Sequence, residues 1–600
     1  MTEPTGDLAL AAEFPTPDRE RWRELVRGVL RKSGADFDSL VTTTYDGIRV
    51  QPLYTAEDVA PPAGFPGLPP FTRGGRPQGA VDGWDIRQQH AVPDRNAVLA
   101  DLENGVTSLW LRNLPADRLD DVLDDLLADV YLDLAPVVVD AGADFREAGL
   151  AMLRVWGRRA VPADEVRGNV GADPLGVRAR TGAAADFAAL HDLVREARDF
   201  PALRVVVVDG LPFHEAGGSD AQELGASLAA GVAYLRELTG LGLSADAAAR
   251  LLEFRYAATA DQFLTIAKFR AARRLWARVT EVVGAPGPQL QHAVTSPAMM
   301  TRRDPWVNML RTTIACFGAG LGGADAVTVL PFDHAIGLPD DFARRVARNT
   351  QSLLLEESRL AGVIDPAGGS WYVERLTDEL ARAAWAWFRE IEAAGGLPAA
   401  FPLVADRLAA TWEARGRNLA DRTDAITGVS EFPDLAEPVV TRPPAPPEPS
   451  GGLPRIRYAQ AFEALRDAAD AAPERPKVFL ATLGPVAAHT ARATFAANLF
   501  QAGGIGTPSA GPTKTVDDVV AKFRDSGARI ACLCGSEKSY QELAGPVVSA
   551  LRAAGAQRVF LAGGESAAVP ADAGVDEYVF TGCAALRVLE HTFEFLGVER

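Results

Sequence analysis

The chain is short of positive charge. Lys and Arg number 61 against 79 Asp and Glu, a formal net charge of −18. Such a field repels polyphosphate and excludes nucleic acid and anionic membrane surfaces as natural partners. Cysteine is scarcer still, 4 in 600 residues, which excludes a disulfide scaffold. No window comes near the ~18 unbroken apolar residues of a membrane span. The opening stretch MTEPTGDLALAAEF lacks the basic, apolar and small-residue regions of a signal peptide. A cytoplasmic location is the expectation. The 7 histidines are His90, His191, His214, His292, His334, His489 and His591. They form no HExxH and no paired His/Cys spacing, so no metal site is expected.

Hydrophobic residues make up 48% and charged residues 23%, ordinary values for a globular chain able to bury a large core. A first helix is expected after residue 16, with Thr16 as cap and Pro17 in its first turn. Trp22, Leu25, Val26, Val29 and Leu30 then form one apolar stripe and Gly34 closes it. A lone amphipathic helix has to cover something, either this chain's own body or another subunit.

From about 100 to 400, strand and helix patterns alternate. Strand candidates are 105–112, 135–141, 166–171, 204–209, 253–257, 289–295, 325–330 and 361–365. RVVVVD at 204–209 is β-branched without alternation, as a parallel strand buried on both faces should be. Eight β-α units in this length predict a closed (β/α)8 TIM-type barrel, because an open sheet would be unusually wide. Residues 371–425 read as helical, and 433–454 carry 8 prolines, a stiff extended linker. Strands at 477–483, 529–534, 558–562 and 577–580, with a weaker one near 505–510, predict a flavodoxin-like open sheet. The expected division is an N-terminal helical arm over 1–45, the barrel over 46–400, a helical and Pro-rich linker over 401–475, and the small sheet domain over 476–600.

Several local patterns have plain structural readings. Cys532 and Cys534 share one strand face and read as buried core. GAGLGG at 318–323 ends a helix instead of opening one after a strand, the reverse of a dinucleotide fingerprint. GPTKT at 511–515 lacks the GK[ST] ending of a phosphate loop and reads as a turn. His214 follows the fourth predicted strand, on the catalytic face of such barrels. Acid chemistry and a structural role are both open for it. His489 follows the first strand of the small domain, where ligands of that fold bind, although a bare His at a helix start is usually only solvated.

These two segments, in their order, resemble the adenosylcobalamin-dependent methylmalonyl-CoA mutases. The resemblance covers nearly the whole chain. YDGIRVQPLYTAEDV (45–59), FLTIAKFRAARRLWARV (263–279), FARRVARNTQSLLLEES (342–358) and VIDPAGGSWYVERLTDELARAAW (363–385) carry it, together with the sequence barrel, linker, cobalamin-type domain. The family's cobalamin motif is Asp-x-His-x-x-Gly, in which the His ligates cobalt, the Asp fixes its tautomer and the Gly leaves room for the nucleotide tail. Here His489 matches the His, Ala487 stands at the Asp and Arg492 at the Gly, and one extra residue separates Gly484 from His489.

In the barrel, a Gly-Tyr-His-x-x-Glu-Ala-Gly pattern supplies a His to the thioester carbonyl. This chain reads Gly210, Leu211, Pro212, Phe213, His214, Glu215, Ala216, Gly217. Proline holds the His position, and His214 lies two residues on, about 6–7 Å along an extended backbone. Gly79 stands where the family has a Tyr that helps drive off the deoxyadenosyl group, five residues before Trp84, and Asp82 replaces an Arg.

Together these losses imply a chain with no catalytic, cofactor-binding or metal residues of its own. Some members of the family are heterodimers, and the resemblance implies that this is the degenerate small (β) subunit. Its partner would be a large (α), adenosylcobalamin-binding subunit, held in a stable heterodimer that interconverts (R)-methylmalonyl-CoA and succinyl-CoA. Three alternatives compete: an active chain using His214 and His489, a transient regulatory or chaperone-docking partner, and an acyl-CoA binder without chemistry.

Overall fold

The structure, a computed structural model, describes residues 18–564, 569 and 573–598. The opening stretch, Thr16 and Pro17 lie outside the described residues. The first helix, Arg19–Ser33, is capped instead by Asp18, whose carboxylate accepts from the Arg21 N–H. Gly34 ends it in the left-handed conformation, at φ 73°.

Eight parallel strands close into a barrel: β1 (Asp85–His90), β2 (Ser108–Arg112), β3 (Val137–Asp140), β4 (Gly168–Ala172), β5 (Arg204–Asp209), β6 (Leu252–Ala258), β7 (Gln291–Thr295) and β8 (Ala326–Thr328). Closure is by β8 against β1, pairing Ala326 with Asp85 and Val327 with Ile86. Helices surround the strands, as in other TIM-type barrels. The predicted strand over 361–365 is not there: Leu360–Gly362 is a 3-10 turn and Asp365 has φ 47°. The eighth strand is β1, which hydropathy hides because Arg87, Gln88, Gln89 and His90 make it polar at nearly every position.

The small domain is a parallel sheet of β9 (Val478–Thr482), β10 (Ile530–Cys534), β11 (Arg558–Ala562) and β12 (Glu577–Val579). The weak segment near 505–510 pairs with β9 through two parallel bridges, Lys477 to Gly506 and Leu480 to Ser509. Counting that edge, the order along the sheet is second, first, third, fourth, fifth, the flavodoxin-like arrangement. Alternate residues of β9 feed cores on its two faces, Val478 and Leu480 on one side, Phe479 and Ala481 on the other. Cys532 and Cys534 are fully buried in the first of these. The GPTKT stretch leads into the helix Val516–Ser526, with Thr515 as its cap.

The Pro-rich stretch runs over the strand C-termini of the barrel as a strap. Pro443 O accepts from Leu338 N–H at 2.8 Å beyond β8, and Glu448 takes both terminal nitrogens of Arg112 at the end of β2, each at 3.1 Å. Further on, Leu453 N–H donates to Ala179 O beyond β4 (2.7 Å), Ile456 N–H to Glu215 O beyond β5 (2.8 Å), and Tyr458 N–H to Ala298 O beyond β7 (2.9 Å). Proline suits such a path because it holds an extended backbone without needing a sheet partner. Among the described residues no helix is long and apolar enough to cross a membrane.

Candidate functional site

In a (β/α)8 enzyme the working groups stand at the strand C-termini, around a lumen closed by layers of apolar side chains. Here the lumen is filled with charge. Arg87 on β1 meets Glu253 on β6 at 2.6 Å, and Glu253 also accepts from the Asn169 amide on β4 at 3.0 Å. These strands are not neighbours, so their side chains can meet only inside the barrel. Burial alone would push the Glu253 carboxyl up, and the Arg87 guanidinium, helped by the Asn169 amide and Arg255, more than reverses it, holding the group below its ordinary range.

A second layer lies closer to the mouth. The Arg255 guanidinium of β6 stacks 4.1 Å over Trp110 of β2 and pairs with Asp209 at 3.0 Å and Asp140 at 3.2 Å. Trp110 meets His292 of β7 edge-on, with ring centroids 5.3 Å apart. Arg255 Nε–H donates to His292 Nδ1 at 3.3 Å, so the ring carries its proton on Nε2 and donates to Thr328 Oγ1 at 2.8 Å. Burial, with Arg87 and Arg255 nearby, keeps this His neutral, its pKa well below the usual value. The axis of the barrel is blocked at two levels.

His214 lies in a short helix, Leu211–Glu215, and not on an extended backbone. Pro212 favours that helix in its first turn. A shift of two residues is therefore about 3 Å of rise and a turn of roughly 200°, which faces His214 away from the direction of position 212. Its Nε2 lies 2.6 Å from Ser296 Oγ, and its Nδ1 lies 3.6 Å from Glu223. Glu223 is itself bound to Lys268, which also pairs with Asp220 at 2.9 Å. His214 lines a cleft of about 1030 Å³ with Leu310, Ile314 and Arg415 on its other walls.

Burial and the Lys268 charge lower the His214 pKa to about 3. Unfolded, the ring takes up a proton below its ordinary 6.5, and folded it refuses one until about pH 3. Stability contributed by the neutral ring is thus intact above pH 6.5 and lost on acidification across that window. His214→Gln should remove about 1.4 kcal/mol per pH unit from the acid-side slope between these limits, read by urea titrations at stepped pH. An unchanged slope would contradict the neutral, buried assignment.

The second motif also departs from a ligand loop. His489 stands in the first turn of the helix Val486–Ala502 and is 7% exposed, with both ring nitrogens unpartnered. Ala487 offers no acceptor. Arg492 reaches across the strand C-termini: its Nη1 donates to Gly535 O at 2.7 Å beyond β10 and its guanidinium lies 4.8 Å from the Tyr540 ring centroid. A side chain placed on Gly563, beyond β11, would meet that guanidinium at 3.6 Å. The crevice in which a nucleotide tail would lie holds Arg492 instead, and these residues do not fit a cobalt-coordinating imidazole.

Gly79 and Asp82 sit elsewhere. Both precede β1, at the strand N-termini, the end of the barrel opposite His214. A Cβ on Gly79 would meet Ile364 at 2.8 Å, so the backbone there is closed against a larger side chain. Asp82 is exposed, and Trp84 donates its indole N–H to Gln351 at 2.9 Å. The structure therefore brings His214 and the strap together at one end and leaves Gly79 and Asp82 at the other. Among the described residues no cluster of His, Cys, Asp or Glu could hold a metal ion.

The comparisons with known proteins agree with the architecture. A sequence profile of the methylmalonyl-CoA mutase family matches residues 114–490. The methylmalonyl-CoA mutase small subunit of Streptomyces virginiae is 58% identical, over 99% of each chain. The probable small subunit of Mycobacterium tuberculosis is 45% identical, over 96% of this chain and 98% of that one. The small subunit of Propionibacterium freudenreichii subsp. shermanii is 40% identical, over 99% and 97%. The chain belongs to the methylmalonyl-CoA mutase family, among its small subunits.

Proposed function

We propose that this chain is the non-catalytic small subunit of a heterodimeric methylmalonyl-CoA mutase. It pairs stably with a large subunit that binds adenosylcobalamin and isomerises (R)-methylmalonyl-CoA and succinyl-CoA by a radical route. The small subunit itself binds no cobalamin, and the complex works in the cytoplasm. The observation that carries this reading is the double block of the barrel axis, Arg87 with Glu253 and Arg255 with Trp110. With the axis blocked, an acyl thioester is left only the strand C-termini, and the strap crosses them. Pro212 in place of a proton donor and Arg492 in the small-domain crevice support the same reading from independent positions.

A partner is supported by the first helix. Arg19–Ser33 buries none of its own residues, and Leu25 and Val29 are 57% and 67% exposed. It carries six Lys or Arg against two Glu, in a chain whose net charge is −18. An uncovered apolar stripe edged with positive charge suits an acidic protein surface, and large obligate interfaces are built from such faces.

The test is to co-purify this chain with its large partner and count corrinoid. One adenosylcobalamin per two chains is expected in a stable one-to-one complex. Two per pair would overturn the non-catalytic reading, and separation of the chains during sedimentation would overturn the stable pairing.

A further inference from the structure

The strap is held unevenly as it crosses the barrel mouth. At one end Pro443 O accepts from Leu338 N–H beyond β8, and a Cβ on Gly337 would collide with that same oxygen. At the other end Gly452 N–H donates to Arg180 O at 3.1 Å and Leu453 N–H to Ala179 O, and a Cβ on Gly452 would collide with Ala179 O. The helix Pro174–Thr181, which carries Ala179 and Arg180, follows β4. β8 and β4 stand on opposite sides of the closed ring of strands, so residues 444–451 span the mouth from side to side.

That span has little else to hold it. Pro444, Pro446, Pro447 and Pro449 have no N–H to donate. Pro444, Ala445, Pro447, Pro449 and Ser450 are exposed, so apolar burial contributes little. Among the described residues, the hydrogen bonds and ion pairs that tie 444–451 down all come from the Glu448 side chain.

Its carboxylate meets both terminal nitrogens of Arg112 in a fork, each at 3.1 Å, and Arg455 Nη1 at 3.2 Å. A forked guanidinium–carboxylate pair fixes position and direction together, because two parallel bonds act at once. The cations are themselves fixed. Arg112 lies 3.7 Å from Asp140 and 5.7 Å from the Trp110 ring centroid, and Arg455 also pairs with Glu215. Burial would raise the Glu448 carboxyl, and Arg112, with Arg455 and Arg180 behind it, holds it below its ordinary value.

We propose that Glu448 is the latch of the strap, an internal carboxylate ligand that seats on Arg112 and Arg455 and keeps the barrel mouth covered. Without it, residues 444–451 are tied only at their ends, and two guanidinia face a gap of carboxylate shape. The vacated seat takes a small free monocarboxylate, which satisfies the cations but cannot tether the strap again. The latch concerns the mouth alone, and it stands whatever the corrinoid count of the complex.

The experiment uses the full chain with a nitroxide label on Ala445→Cys. The native cysteines are buried, and prolines on both sides of position 445 couple the label to the strap. Glu448→Ala in this background should narrow the electron paramagnetic resonance lines to those of a fast-moving label. Glu448→Gln, which keeps an acceptor but no charge, should narrow them less. Sodium acetate, compared with sodium chloride at equal ionic strength, should raise the melting temperature of Glu448→Ala more than that of the parent, and should leave the label mobile. Lines as broad in both variants as in the parent would overturn the latch, because the strap would then be held without Glu448. Acetate acting equally on the parent and on Glu448→Ala, or on neither, would overturn the carboxylate seat and the proposal with it.

Discussion

Glu253→Met should destabilise the barrel by about 3 kcal/mol and Arg87→Met by about 4 kcal/mol, whereas the double variant should return to within about 1 kcal/mol of wild type. The pair is buried, with side chains 7% and 4% exposed, so each partner left alone is an uncompensated charge in a dry interior. The two losses differ because Arg87 keeps a second carboxylate, Asp85 at 3.2 Å, while Glu253 keeps only the Asn169 amide. Methionine is unbranched and of similar reach, so the double variant replaces an ion pair with packed thioethers and leaves the lumen filled. Guanidinium titration of the four proteins closes the cycle, and the coupling energy is its readout. Single variants that each cost under about 1 kcal/mol and add in the double would mean that the two side chains do not meet, and that the barrel axis is open. The stabilisation also carries a pH sign. The Glu253 carboxyl is held below its ordinary 4.5, so its contribution is complete above that value and is lost as the pH falls through the folded range.

The same residues show what a sequence reveals and what it hides. β5, RVVVVD, is legible because a strand covered on both faces needs no polar position, and its apolar run has no other reading. β1, DIRQQH, is illegible for the opposite reason: Arg87 faces a plugged lumen, while Gln88 and His90 are buried under helices, so no hydropathy pattern survives. The decoy at 361–365 borrowed its apolar signal from Val363 and Ile364, yet Asp365 is fixed there by Arg73 and Arg270, which hold it in a turn. The barrel plug left one trace. Glu253 and Arg255 stand two apart in a predicted strand, hence on one face, and two charges facing inward in a barrel require partners across the lumen. Across the lumen those partners are Arg87 of β1, Asp140 of β3 and Asn169 of β4, with Asp209 added from the neighbouring β5, and no local pattern names them. The departures at Ala487, Arg492 and Pro212 were readable by position, but what fills the vacated roles was not. That Arg492 reaches Gly535 and Tyr540, and that His214 sits in a helix against Ser296, are products of tertiary packing.

Adenosylcobalamin mixed with the purified chain should keep the spectrum of the free cofactor, with no base-off, His-on form at chain concentrations of several hundred micromolar. Three features combine to this end. Ligation needs an imidazole free to swing toward cobalt, and His489 is held in the first turn of a helix and is 7% exposed. It needs a carboxylate to fix the tautomer, and Ala487 has none; loss of such an outer partner alone costs about 10–100-fold in metal affinity. It needs a channel for the nucleotide tail, and Arg492 spans that channel with a hydrogen bond to Gly535 and a stack on Tyr540. The features are separable. Ala487→Asp with Arg492→Gly restores the carboxylate and the space but leaves the helix start at Val486 unchanged. If the helical placement of His489 is decisive, the double variant also leaves the spectrum unshifted. If the missing carboxylate and space are decisive, the double variant shifts it while wild type does not. A shift in the wild-type chain itself, with cobalt coordinated by His489, would overturn both accounts and return this polypeptide to the cobalamin-binding members of its family.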